Sequence, residues 1–241
     1  MDRQANIDRF EMEIAKINRP GADRLRNYLR KSDMYSAPAS TRYHLSVTGG
    51  LLQHSLNVLD AFRNSMRDNR DGTYSFMVAG KNVATITEES MIIMALLHDL
   101  CKTNFYKTVM KWRKDKNNKW EQYETFEVED KVPYGHGEKS VMMIEEFMRL
   151  KPEERYAIRW HMGYTETDTL SLNNAIEKYP IIWALHSADM MASHFMESQS
   201  GNLQAYAYAD TQAGKNAGAY ADNPTSDAGA EEPVFEEAAP L

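Results

Sequence analysis

Apolar residues recur along the first twenty positions at three- and four-residue spacing, as Ile7, Phe10, Ile14 and Ile17, and this describes one greasy stripe of a helix ending near Asn18-Arg19-Pro20-Gly21. A second short helix follows over about 22 to 32, and then the period is lost: residues 33 to 48 (DMYSAPASTRYHLSVT) are rich in turn formers and read as a loop packed on the domain. The helical pattern returns strongly in GGLLQHSLNVLDAFRNSM, with Leu51, Leu52, Leu56, Val58, Leu59 and Phe62. Residues 73 to 86 are β-prone around Ala79-Gly80 and predict a small hairpin or an extended loop. Thr87 is placed to cap the next helix, with Ile86 before it and Met91 within it arranged as a hydrophobic staple, and that helix is expected to run to about Lys102.

Two strand-like arms joined through Lys114-Asp115-Lys116-Asn117-Asn118-Lys119 predict a β-hairpin inserted at about 104 to 130. Its aromatics, Trp112, Trp120, Tyr123 and Phe126, could stack on a base, but pairing across the strands is the simpler expectation. Three more helical stretches follow, at about 137 to 149, 153 to 162 and 173 to 198, the last expected to break at Pro180. Met142, Met143, Met190 and Met191 are expected as core filler. The fold class is therefore mainly α, a helical bundle with a small inserted β-hairpin over residues 1 to 199. Residues 200 to 241, dominated by Ala, Gly, Asn, Asp, Glu and Pro, are expected to form an acidic, disordered tail.

Composition narrows the function. In 241 residues, 42% apolar content is enough for a core of its own. No stretch approaches the roughly 18 apolar residues of a membrane span, and the first ten residues have no signal-peptide layout, so a soluble cytoplasmic protein is expected. The net charge is -7, and residues 210 to 241 hold most of it, with seven acids (Asp210, Asp222, Asp227, Glu231, Glu232, Glu236, Glu237) against Lys215 alone. The rest is nearly balanced and has no polybasic run, which speaks against an extended duplex nucleic-acid partner. A single cysteine, Cys101, excludes an intramolecular disulfide and a thiolate-rich zinc site, so any metal must be held by His and carboxylate ligands.

The chemical anomaly is His98-Asp99, at the end of the otherwise greasy MIIMALLHDL. A buried carboxylate is costly unless it is paired or bound to metal, and near a helix C-terminus it also opposes the macrodipole. A bound cation would remove the conflict, and helix capping is the simpler alternative. His54, His136, His161 and Asp189 also sit in amphipathic or apolar helical surroundings (LLQHSL, YGHGEK, RWHMG, HSADMM). Each alone is more often a satisfied core or surface residue than a ligand. Together they read His, His-Asp, His, His, Asp.

That order resembles the HD-domain superfamily of metal-dependent phosphohydrolases, in the subset whose extra histidines accommodate two metal ions. The resemblance covers about residues 35 to 197, from APASTRYHLSVTGGLLQHSL through LLHDLCK, GHGEKS and RWHMG to HSADMMA. The first of these segments is similar to the HD module of bacterial 3'-5' exoribonucleases, whose preceding nucleic-acid-binding domain has no counterpart in this sequence. The resemblance implies that His54, His98, Asp99 and Asp189 hold one metal, while Asp99 bridges to a second held by His136 and His161. Two divalent ions among Mn, Fe, Ni, Co, Zn or Mg suit such ligands, and a bridging carboxylate can hold them at about 3.5 to 4 Å.

Lys102 follows Asp99 by three residues and is expected to reach phosphate oxygens, as in the HD-x-x-K form of the superfamily; a helix-end lysine answering the dipole is the plainer alternative. Arg42 and His44, in the loop before the first ligand helix, are candidate substrate contacts, with Lys139 and Arg159 weaker ones. His186 is expected to be buried or to support a ligand, His194 to be structural or solvent-facing, and Cys101 to be a packed thiol. The expected activity is cleavage of a phosphoester of a nucleotide, cyclic nucleotide or short oligonucleotide by a metal-activated hydroxide. The alternatives are a 3'-5' exonuclease on single strands and a catalytically slow module that senses a nucleotide or binds a partner.

Overall fold

The structure, a computed structural model, describes residues 2–165 and 168–197. The chain divides into two compact units, Met1–Ala205 and Tyr206–Leu241, and all described residues belong to the first. The expected acidic tail at 200 to 241 lies outside them.

The first unit is mainly α. Asp2 caps α1 (Arg3–Ile14) by accepting from the Ala5 N–H at 3.1 Å. This helix stops short of the expected end at 18 to 21, because Lys16 and Ile17 donate to the carbonyls three residues back and tighten the chain ahead of Pro20. Then come α2 (Ala22–Lys31), a loop, and α3 (Gly50–Ser65). A three-stranded antiparallel sheet of β1 (Arg67–Asp68), β2 (Thr73–Val78) and β3 (Lys81–Thr87) follows, with the turn at Ala79-Gly80. Thr87 caps α4 (Glu88–Leu97) through the Ser90 N–H at 3.2 Å, and Ile86 and Met91 are both buried, as a staple requires.

Helix α4 is buried on every side from Ser90 to Leu97, so it forms the centre of the bundle. It packs on α3, and α3 packs in turn on α8 (Ile181–Met191). The hairpin β4 (Tyr106–Lys114) and β5 (Trp120–Val128) projects after α4, followed by α5 (His136–Glu145), α6 (Pro152–Arg159) and α7 (Thr169–Lys178). The expected break at Pro180 separates α7 from α8.

Three further expectations fail. First, α4 ends at Leu97 and not at Lys102. Successive helical side chains diverge by about 100°, so His98 and Asp99 can turn to one centre only if Asp99 leaves the helix. It does so at φ -104°, ψ 21°, and a 3₁₀ turn over Leu100–Lys102 follows. Second, the hairpin aromatics do not face one another: Trp112 is opposite Gln122, Tyr123 opposite Lys111, Phe126 opposite Thr108 and Trp120 opposite Lys114. Cations cover two of these rings, with the Arg113 guanidinium 4.9 Å from the Tyr123 centroid and Lys114 Nζ 5.6 Å from that of Trp120. Third, Met142, Met190 and Met191 are exposed, and of the four methionines Met143 alone packs against the core.

A buried ion network ties the first loop to the bundle. Arg19 donates to both oxygens of Glu154, which is 0% exposed, and to Glu89, while Ser90 Oγ donates to Glu154 Oε1 at 2.7 Å. This clamp holds the start of α4 against the start of α6. It thereby sets the spacing of the two helices whose C-terminal ends carry His98 and His161.

Candidate metal centre

Asp99 lies at the middle of the described residues' densest cluster of potential ligands, and its two oxygens divide that cluster. On the Oδ2 side, His98 Nε2 is at 3.4 Å and His54 Nε2 at 3.5 Å, with Asp189 Oδ1 3.2 Å from the same His54 nitrogen. On the Oδ1 side, His136 Nε2 is at 2.8 Å and His161 Nε2 at 3.6 Å. All six residues expected as ligands are therefore brought together, from α3, the end of α4, α5, the end of α6, and α8.

Each of the four imidazoles turns Nε2 to this centre because Nδ1 is engaged elsewhere. His98 and His161 lie just past the ends of α4 and α6, and each Nδ1 bonds the carbonyl three residues back, Ala95 O at 2.9 Å and Ile158 O at 2.7 Å. These carbonyls are among those a helix end leaves without an intrahelical donor, so one bond satisfies the helix and orients the ring. His54 Nδ1 bonds Glu197 Oε1 at 2.8 Å. His136 Nδ1 meets Cys101 Sγ at 3.2 Å. Behind His161, the half-buried His186 donates from Nδ1 to the His161 backbone carbonyl at 2.7 Å and so touches the chain that carries this histidine and not its ring.

Two glycines permit the close approach of the second pair. A Cβ at Gly137 would lie 2.1 Å from Arg159 O, so a glycine is needed for the start of α5 to touch the end of α6 and set His136 beside His161. Gly163, at φ +61°, turns the chain after His161, where a Cβ would come 2.6 Å from the His186 ring.

Glu197 carries no sequence signal of its own. It follows Asp189 by eight residues, which in a continuous α-helix would set the two about 80° apart. Ala192–Met196 is instead a π turn, in which the Glu197 N–H reaches Ala192 O. Its wider winding brings the two carboxylates back to one side, both on His54.

The electrostatics follow from burial and proximity. Burial alone would raise the Asp99 carboxyl, but Lys102, His98 and the contacts from His136 and His161 hold it well below the usual carboxylate range. Asp189 and Glu197 are likewise lowered against their burial, each mainly by His54. Burial opposes charge on His54, yet the hydrogen bonds to Asp189 and Glu197 push it up to about 10. Burial lowers His98, and burial together with His54 lowers His44 to about 4. The Cys101 thiol is pushed up to about 12 by burial and by Asp99, so it stays protonated.

A pocket of about 630 Å³ opens onto this cluster, walled by Thr41, His44, Lys102, Tyr106, Met190 and Ser193 among others. Lys102 donates to Asp99 Oδ2 at 2.6 Å, because residues three apart eclipse in a 3₁₀ turn, so its side chain stays on the Asp99 side although the helix has ended. His44 belongs to the wall. Arg42 does not: the turn closed by Ser40 Oγ on His44 O and by Tyr43 N on Ser40 Oγ leaves it exposed on the outer side. Lys139 is committed to Asp130 at 2.6 Å and Arg159 to Glu138, so neither joins the centre. His194 is exposed at the rim.

Four groups here have ligand atoms mutually within 4.8 Å: His54, His98 and Asp189; His98, Asp99 and His161; Asp99, Cys101 and His136; and His44, His54 and Glu197. Such buried His, Asp and Cys groups could hold a metal ion. The donor set fits one, since neutral imidazole and carboxylate suit first-row divalent metals. The buried His161 Nε2 also has no hydrogen-bond partner, the condition of a nitrogen awaiting a ligand. Among the described residues, no helix is long and apolar enough to cross a membrane. No protein-family model, no curated protein and no solved structure matches this chain.

Proposed function

We propose that this chain is a metal-dependent phosphohydrolase of the HD-domain type, with two divalent cations at the centre and a phosphoester of a nucleotide, cyclic nucleotide or short oligonucleotide as substrate. The observation that carries the reading is the two-and-two division of four imidazole nitrogens across the oxygens of one buried carboxylate. That is the arrangement by which a single aspartate can serve two cations at once. His54, His98, Asp99 and Asp189 would hold one, and Asp99, His136 and His161 the other. Divalent cations held there supply Lewis acidity that polarises a phosphoryl oxygen and makes water a competent nucleophile near neutral pH.

The chain's own residues account for the rest. Lys102 lines the pocket with a raised ammonium pKa, so it stays charged and can turn from Asp99 to a phosphate oxygen as negative charge grows there. The pocket volume suits a nucleotide-sized ligand, and its apolar wall, including Tyr106 and Met190, suits a base or sugar face. The His44 ring, neutral near pH 7, offers a hydrogen bond without adding charge beside His54.

The test is purified protein with Mn²⁺ against mononucleotides, cyclic nucleotides and short oligonucleotides, with Asp99→Ala in parallel. Turnover abolished by that substitution is the expected result. No turnover on any substrate, or turnover indifferent to Asp99→Ala, would overturn the proposal. Tight nucleotide binding without product would favour a sensing role, and stepwise shortening of single strands an exonuclease.

A further inference from the structure

The four histidines are oriented alike at Nε2 but anchored unlike at Nδ1, and the difference is distributed unequally over the two halves of the centre. Each half has one histidine anchored on a backbone carbonyl, His98 on Ala95 and His161 on Ile158. The other anchor on the Oδ2 side is the buried Glu197 carboxylate, at 2.8 Å from His54; on the Oδ1 side it is the Cys101 thiol, at 3.2 Å from His136. A charged oxygen is a strong acceptor that fixes the ring and raises the basicity of its far nitrogen, whereas a neutral sulfur is a weak acceptor. The Oδ2 half also has Asp189 within reach, so it offers two histidines and two carboxylates against two histidines and one carboxylate. Exposure runs the same way: the His54 side chain is 1% exposed and that of His136 32%.

We propose, resting on the two-metal reading above, that the two halves are unequal by construction: the Oδ2 half binds first and tightly, and the Oδ1 half binds second and exchangeably, with Cys101 the positioning residue that orients His136 while leaving its half the weaker. The Lys102 bond to Oδ2 does not prevent this order, because a carboxylate oxygen has two lone pairs and Lys102 takes one. Activity would then follow the second ion, and the free concentration of that metal would regulate the enzyme.

The experiment is calorimetric titration of the metal-free full chain with Mn²⁺, with elemental analysis of bound metal, for the parent protein and for Asp189→Asn, Glu197→Gln, Cys101→Ala and Cys101→Ser; melting curves check that each variant is folded. Two separated binding events are expected in the parent. Asp189→Asn and Glu197→Gln should weaken the tighter event, the latter by about 10- to 100-fold, as loss of an outer partner of a ligating histidine does. Cys101→Ala should weaken only the looser event, and Cys101→Ser, whose hydroxyl can still accept from Nδ1, should recover it. Two events of indistinguishable affinity, a Glu197→Gln effect on the looser event, or no effect of Cys101→Ala would each overturn the inference while leaving the two-metal reading standing. One ion or none in the parent would overturn that reading, and this inference with it. In Co²⁺-loaded protein, an intense near-ultraviolet thiolate-to-cobalt band would make Cys101 a ligand and sink its positioning role; its absence is expected.

Discussion

Lys102 Nζ stands 2.6 Å from Asp99 Oδ2, so the carboxylate shared by both halves of the centre is already held by a cation of the chain's own. That ammonium would repel a metal arriving on the Oδ2 side, yet under the proposed function it is the group best placed to meet a phosphate. Its two effects therefore have opposite signs.

Lys102→Met should tighten Mn²⁺ binding while lowering turnover by about 10²- to 10³-fold, the loss typical of one donor to a developing oxyanion. Calorimetry and steady-state kinetics on the same preparation check both. Weaker metal binding in this variant would show that Lys102 serves the metal centre rather than the substrate.

Metal affinity should rise with pH. In the metal-free protein His54, raised to about 10, carries a proton on Nε2 at neutral pH, and a metal must displace it. Up to about one proton is then released from this residue, and affinity climbs by up to about tenfold per pH unit below the shifted pKa. Titration in two buffers of different ionisation enthalpy counts the protons. Glu197→Gln, which removes one cause of the shift, should flatten the slope.

Gly137→Ala should separate α5 from α6, since its methyl would fall 2.1 Å from Arg159 O. A destabilisation of about 1 to 3 kcal/mol is expected from such overpacking. It should come with loss of metal from the His136 and His161 half, and urea melts with elemental analysis check both effects.

Glu154→Ala should cost about 3 to 5 kcal/mol, because it leaves the Arg19 guanidinium, 12% exposed, without its main partner inside the bundle. Urea denaturation measures the loss. A change under about 1 kcal/mol would show that Arg19 escapes to solvent.

Much of this was legible in the chain because its signals are local. The staple of Ile86 and Met91 around Thr87, the turn at Ala79-Gly80 and the break at Pro180 each need only a few neighbouring residues to specify them. His98-Asp99 stood out because a polar pair in an apolar run is costly wherever it lands, whereas His54, His136, His161 and Asp189 did not stand out singly and were drawn in by their joint order along the chain and the resemblance it carries. What escaped depends on geometry that spacing does not encode. The early end of α4 follows from two neighbouring side chains having to reach one point. Arg42 and His44 differ only in which side of a tight turn each occupies. Trp112 and Trp120 fall opposite polar residues because strand register, set across the whole hairpin, decides who faces whom.

The π turn at Ala192–Met196 makes the last helix a vernier: one coarse stretch of winding lets two carboxylates, eight positions apart, grip the two different nitrogens of the one His54 ring. Deleting a single residue there, such as Ser193, should let ordinary winding resume with Glu197 seven positions after Asp189, about 20° from it around the helix, so both carboxylates should still face His54. Nitrogen-15 NMR of the His54 ring, which distinguishes its tautomers and its hydrogen-bonded nitrogen, should then show the Nδ1 bond to Glu197 kept without any metal or substrate present, and its loss would show that the π turn itself holds Glu197 in place.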